Sequence, residues 1–145
     1  MYVEGFFQHF LSLYRPLIAA LNELLYPYEL SYSLWQVIFY TKLHGASTLV
    51  EIASHYNVEK PTITRRVQRL EELKMIEQIP GKDKREKVIQ LTALGKEIYV
   101  KCRQEITELE HLVMEGIFEK DQFVTFQTLP KIRKNIMQGE GNKCE

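Results

Sequence analysis

Apolar residues recur at every third or fourth position through most of this chain, and that period predicts six helices. The first spans residues 4–26, with Phe7, Phe10, Leu11, Tyr14, Leu17, Ile18, Leu21, Leu24 and Leu25 in register. Pro27 stops it, and Pro16 removes one backbone hydrogen bond, which should bend it near residues 12–15. Phe6 and Leu13 lie off the stripe, so the helix carries more apolar surface than a short neighbouring unit covers. A second subunit is the natural cover. A second helix, capped by Ser31 or Ser33, turns Leu34, Val37, Ile38 and Thr41 inward, is widened by Trp35 and Phe39, and ends at His44-Gly45. Thr48-x-x-Glu51 is a capping box that opens a third helix holding Leu49, Ile52, Ala53 and Tyr56. A turn at residues 57–59 leads to a fourth helix over residues 60–73, with Pro61 in its first turn. Ile63, Val67 and Leu70 share one face of it, and Pro61, Thr62, Arg65, Gln68 and Arg69 the opposite one.

The period then shortens. Residues 76–80 and 88–92 read as two strands around Gly81-Lys82-Asp83-Lys84-Arg85-Glu86-Lys87, a tip whose four cations exclude it from a core. Thr92 caps a long fifth helix with Leu94, Ile98, Cys102, Leu109, Leu112, Val113 and Ile117 on its buried stripe. The sixth helix covers residues 120–137 with Phe123, Phe126, Leu129, Ile132, Ile136 and Met137 apolar, kinked at Pro130, and residues 139–145 form a frayed tail. Two short helices, a hairpin with a basic tip and the start of a long helix make a winged helix-turn-helix. The fold class is mainly α with a small β-wing: one chain over residues 1–145, a winged helix-turn-helix at 31–92, and dimerisation helices at 1–27 and 93–138.

Composition adds constraints. At 145 residues and 45% apolar the chain can bury a core but has no room for a second catalytic domain. Its net charge is zero, yet residues 59–87 hold nine Lys and Arg against six Asp and Glu, so the balance does not argue against an anionic partner. Cys102 and Cys144 lack a C-x-x-C partner, which supports neither a zinc knuckle nor a disulfide framework and makes a reducing cytoplasm the expected location. No apolar run reaches the roughly 18–20 residues a membrane span needs, and the N-terminus lacks a signal-peptide pattern. No nucleophile with a paired base, P-loop or glycine-rich phosphate turn is present, so the expectation is no enzyme and no cofactor.

The pattern Leu49-x-x-Ile52-Ala53, Thr62-x-Thr64-Arg65-x-Val67-x-x-Leu70-Glu71, then Asp83-x-Arg85-x-x-Val88-x-Leu91-Thr92-x-x-Gly95 resembles the MarR family of bacterial winged-helix transcription regulators. The wing signature is its specific part. The resemblance implies a homodimer whose first and last helices interlock, with the fourth helix in the major groove, the wing arginine in the minor groove, and release of DNA by a small phenolic or lipophilic ligand. Two positions depart from the family: Lys74 stands where glycine is common, so a left-handed cap would be strained by about 1 kcal/mol or the turn takes another shape. Gln78 replaces a basic residue at the first wing strand.

The reading is a sequence-specific double-stranded DNA-binding regulator, a repressor on a pseudo-palindromic operator. Thr62, Thr64, Arg65 and Arg69 approach bases beside Pro61, while Lys60, Arg66, Lys82, Lys84 and Lys87 hold phosphates. Arg85 enters the minor groove, oriented by a charge-assisted bond from Asp83. Phe10, Tyr14, Tyr32, Trp35 and Phe39 are either a pocket for an aromatic or lipophilic effector or part of the core. Glu108 and His111, with His44, Glu23 and Glu51, raise a metal-responsive alternative, although no His pair has i, i+4 spacing and no metal site is assigned. Cys102, on an apolar stripe, reads as an inert core thiol. The competing class is a winged-helix protein-interaction module without useful DNA affinity.

Overall fold

A computed structural model of the chain describes residues 4–83 and 85–142, in two units that meet at Ile106 and Thr107 in sequence. The first unit opens with helix α1 (Phe6–Leu25), which runs on through Pro16. The expected end at Tyr26 is corrected: Tyr26–Tyr28 form a 3-10 turn around Pro27, whose missing N–H cannot extend the α-ladder. Leu25 is the buried residue of α1, Leu21 and Leu24 are partly buried, and the aromatic residues of its first turns are exposed.

Helix α2 (Tyr32–His44) starts where Ser31 Oγ accepts from the Leu34 N–H at 3.3 Å. Asn22 Oδ1, from α1, accepts from the Tyr32 N–H at 2.7 Å, so two of the orphan donors at this helix start are satisfied from different elements. Gly45, at φ 75, ends the helix as expected. Its buried residues are Trp35, Val37, Ile38 and Thr41, and Leu34 packs partly buried against the same core. The Trp35 indole stacks on Tyr99 with centroids 5.4 Å apart and planes 5° from parallel.

A short strand β1 (Ser47–Thr48) precedes α3 (Leu49–Tyr56), whose capping box is complete: Thr48 Oγ1 accepts from the Glu51 N–H and Glu51 accepts from the Thr48 N–H. Helix α4 (Lys60–Glu72) buries Ile63, Val67 and Leu70 against α2 and α3. Strands β2 (Ile76–Ile79) and β3 (Val88–Leu91) form the hairpin, one residue shorter at each far end than expected. The two-stranded wing is also corrected to a three-stranded antiparallel sheet of order β1-β3-β2, with Ser47 opposite Ile89 and Ile76 opposite Leu91. Two residues are too few to show alternation, which hid β1 in the sequence.

The α4–wing–α5 junction is closely packed. Lys74 adopts the left-handed conformation at φ 60, its N–H donating to Glu71 O at 2.9 Å and the Met75 N–H to Leu70 O at 3.0 Å. This is a Schellman motif built on a residue with a Cβ. Thr92 Oγ1 donates to Lys74 O at 2.6 Å and accepts from the Gly95 N–H at 3.0 Å, capping α5 (Ala93–Val113) while holding the turn. A Cβ on Gly95 would collide with the Met75 carbonyl oxygen, which accounts for glycine inside a helix. The buried face of α5 is Gly95, Cys102 and Ile106 with Ile98 and Tyr99 partly buried, whereas Leu94, Leu112 and Val113 are exposed.

In the second unit α5 ends at Val113, so Ile117 lies beyond it, and Gly116 turns the chain at φ 80. Helix α6 (Glu119–Asn142) continues through Pro130 and includes Gly139, five residues past the expected end and into the expected tail. Gln122 Nε2 donates to Ile117 O at 2.9 Å and ties the helix start to that turn. Phe118, Phe123 and Phe126 are exposed on this unit. The last three positions, Cys144 among them, lie outside the described residues. Among the described residues no helix is long and apolar enough to cross a membrane.

The junction generates a pair of opposite effects. Gly95→Ala should destabilise the fold by about 1–3 kcal/mol through overpacking against the Met75 backbone. Lys74→Gly should stabilise it by up to about 1 kcal/mol by relieving the left-handed residue. Urea unfolding midpoints check both, and shifts of the same sign would contradict this packing.

Candidate nucleic-acid interface

The outward face of α4 and the wing tip carry the cations named from the sequence, and the structure sorts them into two groups. Lys60, Arg65, Lys82 and Arg85 are exposed, and among the described residues they enter no ion pair. Lys60 and Arg85 flank one hollow of about 60 Å³ between the starts of α3 and α4 and the tip segment of the wing. Lys84 lies outside the described residues. Thr62 and Thr64 are half-buried on α4, and Thr64 Oγ1 donates to Lys60 O at 3.0 Å.

The other cations are engaged inside the protein. Arg69 Nη1 meets Glu72 at 3.0 Å, and its other nitrogen lies 3.9 Å from Glu29. Lys87 Nζ meets Glu71 Oε1 at 3.1 Å, which also accepts from Gln78 Nε2 at 3.3 Å. Arg66 Nη1 donates to Gln36 Oε1 on α2 at 3.0 Å, while Tyr56 from α3 donates to the Gln36 carbonyl at 2.8 Å. Burial pulls the Arg66 guanidinium below its ordinary value, with Tyr32 and Tyr56 opposing that shift. The Tyr56 phenol is pushed up to about 12, first by burial and then by Tyr32 and Tyr40. Arg66 thus ties α4 to α2, a role invisible in the sequence because its partner stands thirty positions away.

Asp83 is placed as expected but acts on a different atom. Its Oδ1 accepts from the backbone N–H of Arg85 at 3.1 Å, the turn bond that Asp forms two residues ahead of itself. It shapes the tip backbone, where a bond to the guanidinium was expected.

The five aromatic pocket candidates are not gathered together. Phe10 and Tyr14 stack on one another along the exposed face of α1. Trp35 is a core residue between Tyr99 and Phe39, and Tyr32 stands beside Tyr56 and Arg66. Among the described residues no group of three or more His, Cys, Asp or Glu side chains is placed to hold a metal. Cys102 is fully buried, and burial, helped by Glu105, pushes its thiol up to about 12.

An exposed cationic helix face beside an exposed cationic hairpin, on a helix-turn-helix scaffold, defines a winged-helix nucleic-acid-binding class. No family model matches the chain. It is 35% identical over 101 residues to the uncharacterized HTH-type transcriptional regulator YwoH of Bacillus subtilis, covering 70% of this chain and 74% of that protein. Its structure is similar to Staphylococcus aureus MarR in complex with salicylate and kanamycin, with TM-score 0.84, 25% identity, and 93% and 92% of the two chains covered. A mutant Escherichia coli MarR solved with operator DNA matches with TM-score 0.81 at 21% identity, over 90% of this chain and 94% of that one. The chain belongs to the MarR family of winged helix-turn-helix transcriptional regulators.

The sorting of the arginines is testable without any ligand. Arg66→Ala should cost about 1–2 kcal/mol of stability by leaving the Gln36 amide unmatched in a half-buried site, whereas Arg65→Ala should stay within about 0.5 kcal/mol of the parent. Equal denaturation midpoints for the two variants would contradict the assignment.

Proposed function

We propose that this protein is a homodimeric regulator of transcription that binds double-stranded DNA at a two-fold operator. The carrying observation is the set of exposed cations free of ion pairs, Lys60 and Arg65 on α4 with Lys82 and Arg85 on the wing. Phosphates recur along a duplex at a spacing that lets a helix in the major groove and a wing in the next minor groove be held at once. Arg65 is the base reader, with Thr62 and Thr64 beside it. Lys60, Lys82 and Lys84 hold phosphates, and Arg85 enters the narrow groove. Arg69 contributes only after exchanging Glu72 for DNA, and Arg66 and Lys87 support the scaffold. The mutant Escherichia coli relative solved with operator DNA supports this reading.

Dimerisation rests on the apolar side chains that each unit leaves in water. Phe7 is 67% exposed on α1, Leu112 64% on α5 and Phe118 80% beside α6, and clustered apolar side chains left in water mark interaction faces. A second copy covers them. The regulator acts as a repressor in the cytoplasm and performs no catalysis, and its effector class is a small aromatic anion or lipophile. The salicylate bound to the Staphylococcus aureus relative supports that class.

The proposal is tested by titrating duplex DNA at several salt concentrations. The parent should bind with a steep negative salt slope, and Arg65→Ala should lose about 1–3 kcal/mol on the preferred duplex while relaxing base choice at one position per half-site. A sequence preference untouched by Arg65→Ala would overturn the assignment of α4 as the reading helix.

A further inference from the structure

The last turn of α4, beside the face proposed to approach phosphates, carries Glu71, and charge counting makes that residue a hindrance to DNA binding. Its contacts point elsewhere. One carboxylate oxygen takes Lys87 Nζ at 3.1 Å and Gln78 Nε2 at 3.3 Å, so one side chain on the last turn of α4 grips both legs of the hairpin, Gln78 on β2 and Lys87 just before β3. With side-chain exposures of 29% and 27%, this pair is less exposed than Arg69–Glu72, Arg69–Glu29 or Lys101–Glu97. A pair shielded in this way resists salt better than a fully exposed one. Further polar ties between α4 and the hairpin sit at the hairpin base, where Met75 bonds to Leu70 and Thr92 bonds to Lys74 and Met75. Strand β1 also holds β3, with Thr48 opposite Val88 and Ser47 opposite Ile89, so the Glu71 grip acts on the hairpin beside that pairing, and the tip with Lys82 and Arg85 is its far end.

We propose that Glu71 is a positioning residue for DNA recognition: by holding Lys87 and Gln78 it sets the angle of the wing to α4, so that Arg85 and Arg65 meet the duplex in register. This inference rests on the DNA-binding reading above. Lys87 accordingly serves as the wing's anchor, and the negative charge on α4 is neutralised by the strand it holds.

Four variants decide it: Glu71→Gln, Lys87→Gln, the two combined, and the exchange Glu71→Lys with Lys87→Glu, which keeps net charge unchanged. Each is measured for binding to the duplex preferred by the parent and, without DNA, for hydrogen exchange of the β2 and β3 amides. Glu71→Gln should weaken binding about three- to tenfold despite removing a negative charge, Lys87→Gln should do the same, and the combination should be little worse than either. The exchange variant should return affinity to within about twofold of the parent, because pairing in either direction holds the hairpin. Wing amides should exchange faster in both single variants and recover in the exchange variant, with α5 amides unchanged. Unchanged or tighter binding by Glu71→Gln, additive losses, or wing exchange identical to the parent would overturn the proposal. If the parent binds no duplex at all, the DNA-binding reading fails, and the exchange data still decide whether Glu71 holds the wing.

Discussion

The approach of Gly95 to the carbonyl of Met75 is the constraint on which the placement of the interface depends. Helix α5 lies so close to the turn after α4 that no side chain fits between them, and Thr92 closes the contact by serving both backbones with one hydroxyl. The end of α4, the first wing strand and the start of α5 therefore form one packed junction. Its cost is visible at Lys74, which accepts a left-handed backbone so that Met75 can turn into β2. The core beneath it, Leu70, Met75, Ile76, Ile89 and Leu91, is buried and leaves the junction little freedom to shift.

Electrostatics divides along the same geometry. Lys60, Arg65, Lys82 and Arg85 stand free of ion pairs among the described residues, while Arg69 and Lys87, near the helix end and the start of β3, are matched by Glu72 and Glu71. Arg66 is the instructive case: its guanidinium is partly desolvated, so it takes a neutral amide partner and keeps its charge as a strut between α4 and α2. A count of basic residues on a helix face overstates the charge available to a polyanion. What matters is which of them lack an internal partner.

Much of this was legible in the sequence where the cause is local. The Thr48–Glu51 box, the Ser31 cap, the Gly45 stop and the Ile63, Val67, Leu70 face follow from spacings of three and four residues, and the structure reproduces each. What escaped depends on contacts between distant positions. Strand β1 exists only because β3 lies beside it, and Trp35 enters the core because Tyr99 offers a ring to stack on. On α5 the apolar period could not show that a glycine would be among the most closely packed residues, nor that Ile106 would be buried while Leu112 would not. For the interface, the residues were readable but their duties were not, since Gln36, Glu71 and Glu72 decide which cations stand free.

The central claim is that two copies of this chain present α4 and the wing to one duplex. Selection of bound duplexes from a random pool by the full chain tests it most directly. The account predicts an inverted repeat whose half-sites are centred about one helical turn apart, as two-fold docking of major-groove helices requires. Enrichment of a single unrepeated site, or of no sequence at all, would contradict it.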